Sequence, residues 1–191
     1  MRALSISICI LYLIGTLNFI KAENSSFVPI NSLTTENGPE FHASKNGLVL
    51  SVSLPELVKD LSSLVVKIQL SNSTGSDISF RDSTGLDGFG FKLTDLSQQE
   101  ITLTDKHKRL KEGGLGFVTL QLKAGSALVM TVPLSDYYKL NEAGRYKIKI
   151  SWKKLIMGPT GWIPEPTPEI EVEGKIVLTK TATGFSITTD K

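Results

Sequence analysis

The chain has 191 residues, 40% of them hydrophobic and 21% charged, with a formal net charge of +2. That length supplies one domain with a substantial core, and a charge so close to balance argues against a basic nucleic-acid footprint. A single cysteine excludes an internal disulfide framework and a cysteine-based zinc site.

Residues 1–22 read as a secretory signal peptide. Arg2 supplies the positive start, Ile6 to Leu17 an apolar run, and Ala22 a small residue at the cut. The run is short for a spanning helix, and an uncleaved anchor is the alternative. Cys9 follows Ile8 and precedes most of the run, a poor setting for lipid attachment, so the exported chain keeps no cysteine and no thiol nucleophile. Losing Arg2 and Lys21 leaves 19 basic residues against 19 acidic ones. The expectation is a secreted or periplasmic protein with no membrane span after cleavage. Asn24 and Asn72 each open an Asn-x-Ser/Thr sequon, which matters where the source glycosylates.

Residues 23–45 are polar, carry Pro29, Gly38 and Pro39, and read as a leader before a domain spanning 46–191. Leu48 to Leu54 alternates as a first strand, Pro55 to Ser63 suits one helical turn or a loop, and Leu64 to Leu70 is a second strand. The cluster Ser71 to Asp77 is a turn by composition. Ile78 to Phe80 resumes a strand, Asp82 to Gly88 is a turn, and Phe89 to Leu93 is expected to pair back as a hairpin. Ile101 to Thr104 reads as a short strand, Asp105 to Gly114 as a charged loop, Phe117 to Leu122 as a strand, and Lys123 to Ser126 as a tight turn.

Lys123 to Trp152 is the most informative stretch. Ala127 to Leu134 is apolar and β-branched, closed by Pro133, which has no N–H for a ladder. Arg145 to Trp152 alternates strictly, with Tyr146, Ile148, Ile150 and Trp152 on one face and Arg145, Lys147, Lys149 and Ser151 on the other. Period 2 with apolar and cationic faces is a half-buried strand, its lysines in water. Before it, Glu142, Gly144 and Tyr146 resemble the tyrosine corner of Greek-key sandwiches, in which the phenol bonds backbone a few residues upstream. Gly144 would supply a backbone conformation that a side chain resists. Ile148 stands where the immunoglobulin disulfide cysteine would be. An ordinary glycine turn followed by a core tyrosine is the plainer alternative.

Beyond Trp152, Pro159, Pro164, Pro166 and Pro168 fall within ten residues, which speaks against a paired strand and for a stiff, extended loop around Trp162. Ile170 to Val172, Lys175 to Leu178 and Gly184 to Thr188 are strand-like. Eight to ten short strands divided by turn signals predict a single all-β domain of two packed sheets. Candidate core residues are Val66, Ile68, Phe91, Val118, Leu120, Val129, Ile148 and Ile150.

Three segments carry a family resemblance: VVKIQLSNSTGSDISF, LQLKAGSALVMTVPLSDYY and LNEAGRYKIKISW. On them the chain resembles secreted, cysteine-free immunoglobulin-like or fibronectin-III-like β-sandwich domains, with no activity attached. The resemblance covers Leu64 to Trp152 and implies an immunoglobulin-like Greek-key β-sandwich. The intracellular proteinase-inhibitor type of sandwich is similar in its turn and its Gly-x-Tyr corner, and this chain departs from it in being exported.

Reacting groups are sparse. His42 and His107 are far apart and lack the spacing of a metal site or catalytic base, and no nucleophile elbow or phosphate loop occurs. Asp82, Thr84 and Asp87 offer oxygens without the ligand alternation of a calcium loop, so a side-chain-stabilised turn explains them better. Lys106, Lys108, Arg109 and Lys111 are offset by Asp105 and Glu112 and read as a solvated loop. Recognition is placed instead at Trp162, Ile163, Pro164 and Pro166, where a large amphipathic ring on a stiff loop loses little entropy on binding. The other reading folds Trp162 back as an edge cap. The expectation is a monomeric, non-enzymatic, cofactor-free interaction module for a protein or glycan, or else an exported proteinase inhibitor using the same loop.

Overall fold

The computed structural model describes residues 26–29, 37–82, 88–104, 118–153, 155–158, 161–164 and 169–190, with backbone alone at 81–82, 118–119, 155–158 and 161–164. The expected signal peptide, Cys9 and Asn24 lie outside these residues, as does the side chain of Val118.

The first strands are β1 (Ser26–Pro29), β2 (Glu40–Lys45), β3 (Leu48–Ser53), β4 (Leu57–Val58), β5 (Val65–Asn72), β6 (Ile78–Asp82) and β7 (Phe89–Asp95). After them come β8 (Val118–Leu122), β9 (Ser126–Pro133), the one-turn helix α1 (Leu134–Tyr137) and β10 (Gly144–Trp152). The chain then forms β11 (Leu155–Gly158), β12 (Gly161–Pro164), β13 (Ile170–Lys180) and β14 (Phe185–Thr189). All pairings are antiparallel, in two five-stranded sheets ordered β1-β9-β5-β3-β2 and β4-β14-β13-β10-β7. Two further pairs, β6-β8 and β11-β12, stand apart from these sheets.

Alternation decides which residues meet. In the first sheet Leu50, Leu70 and Leu128 form one buried row and Val52, Ile68 and Met130 the next. In the second, Ile148 stands between Leu93 and Gly174, and Phe89, Trp152 and Ile170 line up one end. These rows belong to a single apolar cluster. Each fully buried aliphatic or aromatic side chain is worth about 1.5–3 kcal/mol of transfer free energy, which makes this cluster the dominant stabilising term.

Phe41 of β2 packs against this cluster and lies over Gly174 of β13, linking the sheets directly; a Cβ on Gly174 would stand 2.4 Å from the Phe41 ring. The expected leader is therefore partly sheet. Ser26–Pro29 pairs with β9 and Glu40–Lys45 pairs with β3. The second pair turns through Asn46 and Gly47, both at positive φ (52° and 78°), the backbone that tight hairpins favour and that an Asn-Gly pair adopts readily.

Other expectations are corrected by long-range pairing. β6 does not fold back on β7; it pairs with β8, while β7 joins β10 in the second sheet. Ile101 to Thr104 makes one isolated bridge, Leu103 to Tyr138, rather than a strand. The two short strands expected over 170–178 are one eleven-residue strand. Val66, Ile68, Ile148 and Ile150 are buried as expected, and Phe91 and Leu120 are half-buried against the cluster. Val129 is only half-buried: the inward set of β9 is Leu128, Met130 and Val132, because a continuous apolar run does not mark its own inner face.

The outer edge of β7 is covered by its own return. Ile101 N–H donates to the Leu93 carbonyl at 2.9 Å, and the Tyr138 hydroxyl donates to the Phe91 carbonyl at 2.8 Å. An edge satisfied this way offers fewer free groups to another chain. Among the described residues no helix is long and apolar enough to cross a membrane.

Candidate functional site

The two small sheets emerge where chain segments leave the main pair. The β5-to-β7 connection contains β6, and the β10-to-β13 connection contains the β11-β12 hairpin. β11 lies against β6, so both additions gather at the Trp152 end.

That end is fixed by two buried groups. Trp152 is 1% exposed and meets Phe80 of β6 edge-on, with ring centroids 5.7 Å apart. Gly88 lies close enough to the indole that a Cβ there would come within 3.0 Å of Nε1 and 2.6 Å of the Lys153 carbonyl. Asn72, fully buried at the end of β5, donates through Nδ2 to the carbonyls of Ser76 (2.9 Å) and Leu122 (3.0 Å). Its Oδ1 accepts from the Thr74 amide (3.0 Å) and the Thr74 hydroxyl (2.6 Å). One amide therefore ties β5, its following turn and β8 together. Asp77 adds a second tie, accepting from the Ala124 amide at 2.9 Å.

In the sequence Asn72 reads as a sequon and a turn residue, yet the nitrogen a glycan would occupy is buried and already donates twice. Only the density of Ser, Thr, Asn, Asp and Gly over 71–77 hinted at such a network.

The expected recognition residues divide at the limit of description. Trp162, Ile163 and Pro164 lie on β12, whose backbone pairs with β11 in the register Met157–Trp162, Ile156–Ile163 and Leu155–Pro164. The expected unpaired loop is therefore a hairpin over these residues. Pro159 lies outside the described residues, and Pro164 stands on an edge strand of a two-stranded sheet, where a missing N–H is tolerated. Pro166 lies outside the described residues, as do the side chains of Trp162, Ile163 and Pro164.

At the start of β10 the Tyr146 hydroxyl donates to the Glu142 carbonyl at 3.0 Å. Burial, followed by the nearby Glu142 and Asp95 carboxylates, pushes the Tyr146 phenol above its ordinary range. Gly144 lies under the ring, where a Cβ would make ordinary contact at 3.4 Å, and its φ is not positive. The expected conformational need for glycine at 144 is thus not met; its smallness beside the phenol is what remains.

His42 is exposed on β2 rather than in a leader, opposite Ser51. His107, the 105–114 charged loop, Thr84, Asp87 and the Asp82 side chain lie outside the described residues. Among the described residues no three His, Cys, Asp or Glu side chains gather closely enough to hold a metal ion. No protein-family model matches this chain, and no curated protein matches it either.

Proposed function

We propose that the chain is an exported immunoglobulin-like Greek-key β-sandwich acting as a non-enzymatic interaction module, secreted or periplasmic, that recognises a protein or glycan through loops at the Trp152 end. The strand order supports the architecture: β9-β5-β3 stacked on β13-β10-β7, with the chain alternating between sheets from β5 to β10, is the path an immunoglobulin-like Greek key takes. The Tyr146–Glu142 bond occupies the place of its tyrosine corner. Export is supported by the composition of residues 1–22.

The observation that carries the functional reading is the gathering of both elaborated connections at one end, on a base anchored by Asn72 and Trp152. Binding loops on sandwiches take this form because a rigid two-sheet base holds them without consuming their surface. The inhibitor alternative needed an extended loop. Pairing of 155–158 with 161–164 occupies backbone groups that such a loop would offer to a protease cleft, so the interaction module is preferred.

The test uses the purified protein and Trp162→Ala side by side, on a glycan array and as bait against an extracytoplasmic protein fraction. The module reading expects a ligand held by the parent and lost by the variant, with nearly unchanged melting temperatures. Equal capture by both proteins, or a variant that melts far below the parent, refutes it.

A further inference from the structure

We infer that the free edge of β2 pairs with the same edge of a second copy of this chain, giving a two-fold symmetric dimer whose first sheets run on as one. This goes beyond the loop reading and stands without it. The two main sheets have four edge strands, and three of them offer little. β7 is bonded by its own return, β4 is two residues long, and β1 is four residues ending in Pro29. β2 has six residues in unbroken register with β3, and none of them is proline or glycine. An edge of that kind is a template for another strand.

Its free backbone groups follow from the hairpin. The two-residue Asn46-Gly47 turn makes Lys45 and Leu48 a hydrogen-bonded pair. The Leu54 N–H donates to the Pro39 carbonyl at 3.0 Å, which fixes the same parity at the far end. Residues 39, 41, 43 and 45 therefore bond toward β3. The N–H and C=O groups of Glu40, His42 and Ser44 point away from the sheet, and none has a partner among the described residues. All three residues are exposed. The second sheet leaves this side open: Phe41 lies over Gly174, and β14 flanks β13 only from Ile176 to Lys180, away from residues 42–45.

A second copy is the occupant because the edge complements itself. Two copies lie antiparallel about a two-fold axis with His42 opposite its counterpart, Phe41 opposite Ala43 and Glu40 opposite Ser44. This register engages every free residue: three hydrogen-bonded pairs of two bonds each, whereas a shift of two residues either way keeps only two such pairs. A shift of one would turn core-side residues to the outer face. On the core side a large ring meets a methyl group, on the outer side a carboxylate meets a hydroxyl, and no two carboxylates face each other. The contact is isologous and closes at two copies, because the opposite edge of each first sheet is the short β1.

One strand pair covers less than the roughly 1,200–2,000 Å² of a standard interface, so the dimer is weak and separates on dilution. Its antiparallel geometry points the two Trp152 ends in opposite directions, which makes the dimer a bivalent presentation of that end.

The experiment is sedimentation equilibrium of the purified protein from about 10 μM to about 1 mM, the range of weak pairs. A concentration-dependent monomer–dimer equilibrium with nothing larger is expected. His42→Pro removes an outward N–H and sets a ring in the partner's path while leaving the β2–β3 bonds in place, and it is expected to stay monomeric. Ser44→Glu places carboxylates opposite Glu40 at two symmetric positions and is expected to weaken association roughly twofold to thirtyfold. Adding Glu40→Lys to Ser44→Glu makes both contacts opposite-charge pairs and is expected to restore association. Both charge changes sit at exposed positions, so they decide the matter by themselves if His42→Pro melts far below the parent. A protein monomeric at the highest concentration, assemblies larger than a dimer, association unchanged in Ser44→Glu, or a loss that Glu40→Lys does not recover would overturn the inference.

Discussion

Replacing Asn72 tests whether one amide holds the decorated end together. In Asn72→Ala the Leu122 and Ser76 carbonyls lose their 3.0 and 2.9 Å donors, and the Thr74 amide loses its 3.0 Å acceptor. The Thr74 hydroxyl keeps the Ser76 carbonyl at 2.7 Å, so its share of the loss is small. A net hydrogen bond is worth about 1 kcal/mol, and a buried group left unpaired costs about 1–3 kcal/mol. With three groups affected and some reached by water, the expected loss is about 2–4 kcal/mol, a large part of a domain's usual 5–15 kcal/mol. Urea unfolding followed by tryptophan fluorescence reads this as a lower midpoint at constant slope.

Asn72→Asp sharpens the test because it keeps the shape and replaces the donor with an acceptor facing two carbonyls. Burial and those oxygens raise the folded-state pKa of the new carboxyl above its unfolded value of about 3.9. Stability is then retained below the unfolded pKa and lost as pH rises through the folded one. The Asp variant should be weaker than the Ala variant at pH 7 and recover in acid. A loss below about 0.5 kcal/mol for Asn72→Ala, or parental stability of Asn72→Asp at pH 7, would refute the reasoning.

Gly174→Ala places a Cβ 2.4 Å from the Phe41 ring and is expected to cost about 1–3 kcal/mol. Pairing it with Phe41→Leu should recover part of that loss, and strictly additive midpoints would show that the two residues do not meet. Burial, aided by Glu100, raises the Tyr138 phenol well above its ordinary range, and Tyr146 is raised as well. An acid whose folded pKa lies above its unfolded value stabilises the fold below that unfolded value and loses the contribution as pH rises through the folded one. Melting temperature should therefore fall once pH passes about 10. Tyr138→Phe should flatten that fall, and an identical alkaline profile in the variant would contradict it.

Much of this was legible locally. The strict alternation of Arg145 to Trp152 identifies a strand and its buried face, and the structure buries Tyr146, Ile148, Ile150 and Trp152 together. The Asn46-Gly47 turn was equally legible: an Asn-Gly pair between Phe41-x-Ala43 and Leu48-x-Leu50 is a strong hairpin signal, although the polarity around it resembles that of a leader. The Lys face of β10 was visible as a charged stripe, but not which residues of β7 and β13 would stand beside it. That depends on the registers of three strands distant in sequence.

Period, turn chemistry and composition depend on neighbouring residues, so the chain alone determined that it is all-β, where most strands run, and which face β10 buries. Partner choice depends on contacts between distant segments. Only the tertiary structure could send β6 to β8 and β7 to β10, turn Val129 away from the core and pair residues 155–158 with 161–164. It also brought Asn72 against Leu122 and, among the described residues, left the buried Thr94 hydroxyl without a hydrogen-bond partner. A strand carries its alternation wherever it goes, but its edges accept any antiparallel neighbour, and only burial of the shared core selects among them.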